Sequence, residues 1–417
     1  MSRIRSLSEI FAKNRTEELP DDLWKMFVHP RNEGRFDLKK WTKPTVLVGG
    51  RGSGKTMFLK YHCHPTTFSP KKDIIRNEDF EFIGFHWRPD TFFTQNINEK
   101  LLGEKWERSF NSLMTLTLLI DFAKMLENIL RSKFNSKDEI EKIASFELPK
   151  PIRQKLGIKK EKFIDCKEEL EDINFDLCNW INSPDSSIPP SFIDLVSSLK
   201  LITERLSINI SVFQKSIFTI FVDEFENLTN QQQKIINTWL KHSSQNLIFS
   251  IAHKKHSEVS RETKSQEKIV GRNDFRLIDL DEIYSKDFEN LAAEVFVLKW
   301  IQDNHITELE EFIDICSDPE LISTRRSDKY LKNIKFIVQK ILPKTTMSEI
   351  SEDILKNNAL NNKLKNLIDS GLKLHNSDYL ISDFLDPNYK QASIVNGALL
   401  NRKSKSMFPE ILHKEFL

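Results

Sequence analysis

The sequence predicts an α/β fold: a parallel β-sheet flanked by helices, with a helical insert inside it and a helical region after it. Three observations carry that expectation. A glycine cluster stands between a β-favouring run and a helix-like run. A later apolar run ends in Asp-Glu. Short apolar runs then alternate with amphipathic stretches through residues 41–284. Strands and helices alternating around such a loop imply a parallel sheet with helices on both faces.

Taken in order, residues 1–40 read as a helical lead-in, with Asp21 and Asp22 of "PDDLWKMFV" in the first turn of a helix. Thr45–Val48 is the first core strand. The stretch "VLVGGRGSGKT", Val46 to Thr56, then gathers four of the chain's 11 glycines within six positions. It fits G-x-x-x-x-G-K-[ST], the phosphate-binding loop of P-loop NTPases. A loop that wraps a phosphate chain must turn several backbone N–H groups inward, and glycine permits the φ angles and close approach this needs. The following helix adds its unpaired N-terminal amides. Gly49, Gly50, Arg51, Gly52, Ser53, Gly54, Lys55, Thr56 and Met57 are therefore the expected ATP contacts. Lys55 reaches the β- and γ-phosphates, and the Thr56 hydroxyl is an expected Mg²⁺ ligand.

The aromatic run "FEFIGFHWR", Phe80 to Arg88, reads as a second buried strand. Apolar residues at helical intervals from Phe110 to Leu130 predict a long, largely buried helix. From about Asn135 to Pro190 the text is charged, and a helical insert at about 95–215 is expected, its charge run a solvated face. The core resumes with a strand from Ile217 to Val222 that ends in Asp223 and Glu224. The amphipathic "QQQKIINTWLKHS" follows, then the strands "NLIFSIAHKK" and "FRLIDLD" (Phe275–Asp281). Residues 285–417 read as helices only, a lid and C-terminal region, with Ser285 as the N-cap of the clearest one.

The strand ending in Asp-Glu completes the chemistry. Its carboxylates arrive beside the phosphate loop, in the crevice where open α/β sheets bind ligands. Asp223 is the second expected Mg²⁺ ligand. Glu224 is the expected base that polarises the attacking water, with Glu226 as competitor. At the tip of the next strand, His253 is the expected sensor of the γ-phosphate. Arg272, near the end of the core, is the expected arginine that reaches a neighbouring subunit's ATP.

Composition sets the limits. At 39% hydrophobic and 29% charged residues the chain has the make-up of an ordinary folded protein. A net charge of +1 argues against a uniformly basic surface for nucleic acid, while leaving room for a local patch. Four scattered cysteines without a C-x-x-C pair imply reduced thiols and a cytoplasmic location. His62, Cys63 and His64 are adjacent, but neighbours in a helix or strand do not face one point, so no metal site is expected there. No apolar run approaches the ~18 residues that span a bilayer, so no membrane partner is expected.

The "GGRGSGKT" loop, the "FVDEFENL" strand end and the "DFRLIDLD…DFENLAAEVF" stretch resemble the AAA+ ATPases related to the replication initiator ORC/Cdc6. More narrowly, "EELPDDLWKMFVHP", "FSPKK", "IGFHWRPDTFF" and "ASIVNGALLNR" resemble bacterial ORC-Cdc6-like ATPases. The resemblance implies an ATP-dependent switch in a DNA-related or phage-defence setting. The chain departs from the initiators in lacking a recognisable winged helix at its C-terminus. Arg325 and Arg326 are the candidates for the lid arginine that contacts ATP. Two functions follow as expectations. One is an ATPase, possibly a homo-oligomer, that acts on or senses nucleic acid. The other is a nucleotide-gated switch controlling an effector protein such as a nuclease or toxin. A small-molecule kinase is disfavoured by the long helical C-terminus and the absence of an acceptor-site signature.

Overall fold

The computed structural model describes residues 19–31, 38, 42–184, 190–265, 267–304, 306, 310–318, 321–342, 346–386, 389–402 and 408–416. The chain forms two compact units, divided between residues 331 and 332.

The first unit is built on a five-stranded sheet of order β2-β3-β4-β1-β5, every pairing parallel. The strands are β1 (Thr45–Gly49), β2 (Phe82–Trp87), β3 (Ile217–Val222), β4 (Leu247–Lys254) and β5 (Arg276–Asp279). β1 to β4 are mostly apolar and largely buried, as expected for strands inside a parallel sheet. On one face lies α1 (Lys55–Tyr61), whose Phe58 and Leu59 pack with Leu47, Ala252 and Ile278.

On the other face lie α2 (Trp106–Arg131), α3 (Lys167–Asn182), α4 (Leu195–Asn209) and α5 (Asn230–Lys241). Aromatic rings join this layer to the sheet. Phe122 of α2 stacks on Phe85 of β2 at 4.1 Å between centroids, and Phe218 of β3 lies 5.7 Å from Phe122. Burying each such ring contributes about 1.5–3 kcal/mol. The helix expected from Phe110 to Leu130 is therefore a structural layer of the core. Thr229 caps α5 with a reciprocal capping box to Gln232, which fixes the helix start directly after β3.

Two local expectations are corrected. Asp21 and Asp22 do not open a helix; residues 19–31 run through a turn at 24–26 and otherwise carry no regular structure. Tertiary partners outcompete the local helix signal: Asp21 pairs with Lys60 at 2.9 Å, Asp22 accepts from Ser69 Oγ at 2.8 Å, and Leu23, Phe27 and Val28 are buried. Most of the remaining lead-in, 1–18, 32–37 and 39–40, lies outside the described residues. Ser285 is likewise no N-cap. It ends a short helix α6 (Leu280–Ser285), donating to the Glu282 carbonyl, because Asp279 at the tip of β5 already caps that helix. The next helix, α7, begins at Phe288 and runs to Asn304.

Every regular element described after β5 is helical. In the second unit, α8 (Asn358–Leu374) and α9 (Lys390–Leu399) pack through Leu364, Ile368 and Leu400.

Candidate nucleotide site

The chain turns from β1 into α1 through residues 50–54. Gly52 and Gly54 hold φ of +84° and +78°, a region that side-chain-bearing residues rarely adopt. Gly54 occupies the N-cap position and offers no side-chain cap, so the first amides of α1 are left for another partner. Lys55 folds back onto the loop, its Nζ donating to the carbonyls of Gly49 and Gly50 at 2.9 and 2.8 Å. Burial lowers its pKa, while Glu226, Asp223 and Asp281 act in the opposite sense and favour the ammonium form. The Gly50 amide meets the Asp281 carboxylate at 2.9 Å. Arg51 is exposed, and Met57 is half-buried against the cluster under α1.

β3 delivers the carboxylates. Thr56 Oγ1 donates to Asp223 Oδ2 at 2.6 Å, although the two residues are 167 positions apart. Asp223 is 1% exposed. Burial alone pushes its carboxyl up; hydrogen bonds from His86, Thr56 and the Glu224 amide outweigh burial and hold it below the usual carboxylate range. The His86 contact, Nε2 to Oδ2 at 3.1 Å, comes from β2 and was not legible as a site feature. Thr56 and Asp223 thus present a hydroxyl and a carboxylate at one point, a donor set that suits a hard divalent cation such as Mg²⁺. His86 meets the same carboxylate oxygen as Thr56 and would help to orient it.

Glu224 follows in the left-handed conformation at φ +49°, which is uncommon for a non-glycine residue. Its Oε2 is engaged by Arg88 Nε at 3.0 Å and by Asn227 Nδ2 at 2.9 Å. Glu226 is 8% exposed at its side chain and pairs with Lys254 at 3.3 Å. His253 pairs in register with Val48 of β1, and its Nδ1 faces the Lys254 carbonyl and Ser257 Oγ. Burial lowers the His253 pKa, favouring the neutral ring. Arg272 is exposed on the loop before β5, at φ +70°.

A family model described as ORC-CDC6-like matches residues 9–406, nearly the whole chain. The chain belongs to the ORC-CDC6-like family. That family is one of AAA+ ATPases, and the five-stranded parallel sheet with its flanking helices is the corresponding α/β P-loop NTPase fold. No curated protein and no solved structure matches the chain. Among the described residues, no helix is long and apolar enough to cross a membrane.

Within this ORC-CDC6-like chain, the two candidates for the lid arginine stand in different surroundings. Arg325 is fully buried, and its guanidinium is spent on Glu294 at 2.8 and 3.0 Å and on the His29 carbonyl. Arg326 donates to the Arg31 carbonyl at 2.6 Å. Both arginines tie the segment around residue 30 to the helices near 294 and 325; Arg325 is buried, whereas Arg326 remains exposed. His64 meets Asp121 and Asn128, and Cys63 donates to the Leu59 carbonyl; among the described residues no group of three or more His, Cys, Asp or Glu side chains is placed to hold a metal ion.

The His86 contact makes a prediction. Outer-shell partners of a metal ligand are worth about 10–100-fold in metal affinity. His86→Ala is expected to weaken Mg²⁺-dependent binding of a labelled ATP analogue about tenfold, with Asn at 86 restoring part of it by keeping a donor. Equal Mg²⁺ titrations for wild type and His86→Ala would remove that role.

Proposed function

We propose that this chain binds ATP with Mg²⁺ and hydrolyses it, and that the nucleotide state governs its action on nucleic acid or on a partner in a bacterial defence or DNA-related setting. The observation that carries the reading is the Thr56–Asp223 hydrogen bond, which joins the end of the phosphate loop to the carboxylate at the end of β3. Gly49 to Met57 would hold the nucleotide, Thr56 and Asp223 the metal, and Glu224 would act as base. His253 would report on the γ-phosphate. Bound Mg²⁺ would neutralise charge on the phosphates. The test is ATP turnover measured with and without DNA; stimulation by DNA supports the nucleic-acid reading.

A second reading has its own observation. The Glu224 carboxylate is already held by Arg88 and Asn227. A base so engaged suits a nucleotide-gated switch with little turnover, which would bind and control an effector such as a nuclease or toxin. Slow turnover unaffected by DNA, with nucleotide-dependent binding of a partner, supports this reading.

Assembly follows from the same chemistry. An arginine from a neighbour can stabilise charge on the transferring phosphate, and Arg272 is exposed for that role. ATP is expected to promote self-association, and Arg272→Ala to lower turnover while sparing binding. Mixed Arg272→Ala and Glu224→Gln subunits, each inactive alone, should regain activity together, because some borders then carry both intact halves. A chain that light scattering shows to be monomeric in saturating ATP would count against this assembly.

A further inference from the structure

The net charge of +1 hides an uneven distribution. Residues 332–417, the second unit, hold 13 lysines and arginines against nine aspartates and glutamates. The surplus is densest where the unit begins: from Lys329 to Ser348 the sequence has no acidic residue. On a chain that is otherwise near neutral, a local surplus of this kind is the electrostatic footprint of a polyanion.

Most of that stretch is one helix, Asp328–Ile341. The helical repeat puts Ile334, Ile337, Val338 and Ile341 on one side. Ile334 is buried and the other three are half-buried. The opposite side carries Lys332, Lys335, Phe336, Gln339 and Lys340, all exposed. Among the described residues none of these three lysines pairs with a carboxylate; the ion pairs of this unit use Lys356, Lys373 and Lys390 instead. Phe336 is 53% exposed, and Lys340 Nζ stands 4.3 Å from its ring centroid. A cation and an aromatic ring are thus offered at one spot, with two further cations beside them.

We propose that this helix face binds single-stranded nucleic acid, the three lysines meeting backbone phosphates and Phe336 stacking on a base. Single-strand sites combine a basic track with aromatic side chains on which bases stack. A duplex keeps its bases stacked on one another and leaves the ring no partner. A lipid surface calls for a broad apolar face, whereas this one has a single large apolar side chain among three lysines. The proposal rests on the nucleic-acid reading above and gives it an address, in residues other than those of the nucleotide site.

The probe is a fluorescent single-stranded DNA of about 15 nucleotides, within the site sizes of single-strand binders. It is titrated against the full chain without ATP, by anisotropy, over a salt series. Each phosphate neutralised steepens the fall of log affinity with log salt by about 0.7 for a single strand. Replacing Lys332, Lys335 and Lys340 together by Gln should therefore flatten the slope by about 2 and lower affinity at least about tenfold at low salt. Phe336→Ala should lower affinity at least about fivefold, the lower end for one stacked base, and leave the slope unchanged. Phe336→Trp should keep wild-type affinity or better. The duplex of the same sequence should bind more weakly and ignore Phe336→Ala. Far-UV circular dichroism should match wild type for every variant, since the substituted side chains are exposed. Oligonucleotide binding unchanged in the lysine and Phe336→Ala variants overturns the proposal and leaves the nucleic-acid reading standing; no binding of either form of DNA overturns both. Loss in the lysine variant alone, or tighter binding of duplex than of single strand, also overturns it. Binding of phosphatidylserine vesicles in place of DNA, lost in the lysine variant, would overturn it by assigning the face to lipid.

Discussion

Lys55→Ala is expected to abolish ATP binding, lowering affinity at least about thirtyfold. The lysine ammonium is half-buried, bonded to the Gly49 and Gly50 carbonyls and surrounded by Glu226, Asp223 and Asp281. Those acidic neighbours favour its charge against the effect of burial. On nucleotide entry the phosphates would replace the two carbonyls as its partners. Without the lysine, a polyanion would meet the carboxylates of Glu226, Asp223 and Asp281, the last bonded to the Gly50 amide, with Lys254 as a remaining cation nearby. Truncating one partner of a buried, hydrogen-bonded charge pair costs about 2–5 kcal/mol, and 1.4 kcal/mol is a factor of ten. Equilibrium titration with a labelled ATP analogue measures the loss. Lys55 bonds only loop carbonyls in this structure, so the thermal midpoint of the variant should stay close to wild type. Unchanged affinity would remove the phosphate-loop assignment.

The parts of the site that could be read from sequence are those whose signal is local. β1 and β3 are mostly apolar runs followed by residues with chemistry, so Thr56 and Asp223, which the fold brings to 2.6 Å, are legible by counting along the chain. Strand bounds differ by a residue or two, and for β5 the reason is physical: the strand expected to reach Asp281 stops at Asp279 because that side chain caps α6. His86 and Arg88 carried no such signal. They sit at the end of an aromatic strand, and their partners lie far along the chain, 137 residues away for the His86–Asp223 contact. A polar residue breaking an otherwise apolar strand beside the site was the one available hint. Arg325 misled for the converse reason. Adjacent arginines on a helix look solvated or ligand-facing, and only the fold shows that Glu294 and Arg31 form a buried ion network with the first of them. The lead-in failed through tertiary override, its acidic residues being claimed by Lys60 and Ser69.

Glu224→Gln is expected to leave ATP bound and to slow hydrolysis at least tenfold, since a positioned base contributes about 10²–10⁴-fold. The two candidate carboxylates stand in different surroundings. Glu224 stands directly after the buried Asp223, at a backbone conformation that costs of order 1–3 kcal/mol and that the fold nonetheless imposes. Its carboxylate is 27% exposed at the side chain, so water can reach it once Arg88 and Asn227 give way. Glu226 is nearly closed off from water and paired with Lys254, and it acts on Lys55 as the leading charge that opposes the effect of burial. Neutralising it should disturb the charge balance around the lysine and change ATP affinity more than the chemical step. Single-turnover rates and ATP titrations on both variants separate the two roles. Glu224→Gln should lose rate at nearly constant affinity, and Glu226→Gln should show the reverse. A slow Glu226→Gln beside a normal Glu224→Gln would move the base to residue 226 and leave the Arg88 contact as structural support for the turn after β3.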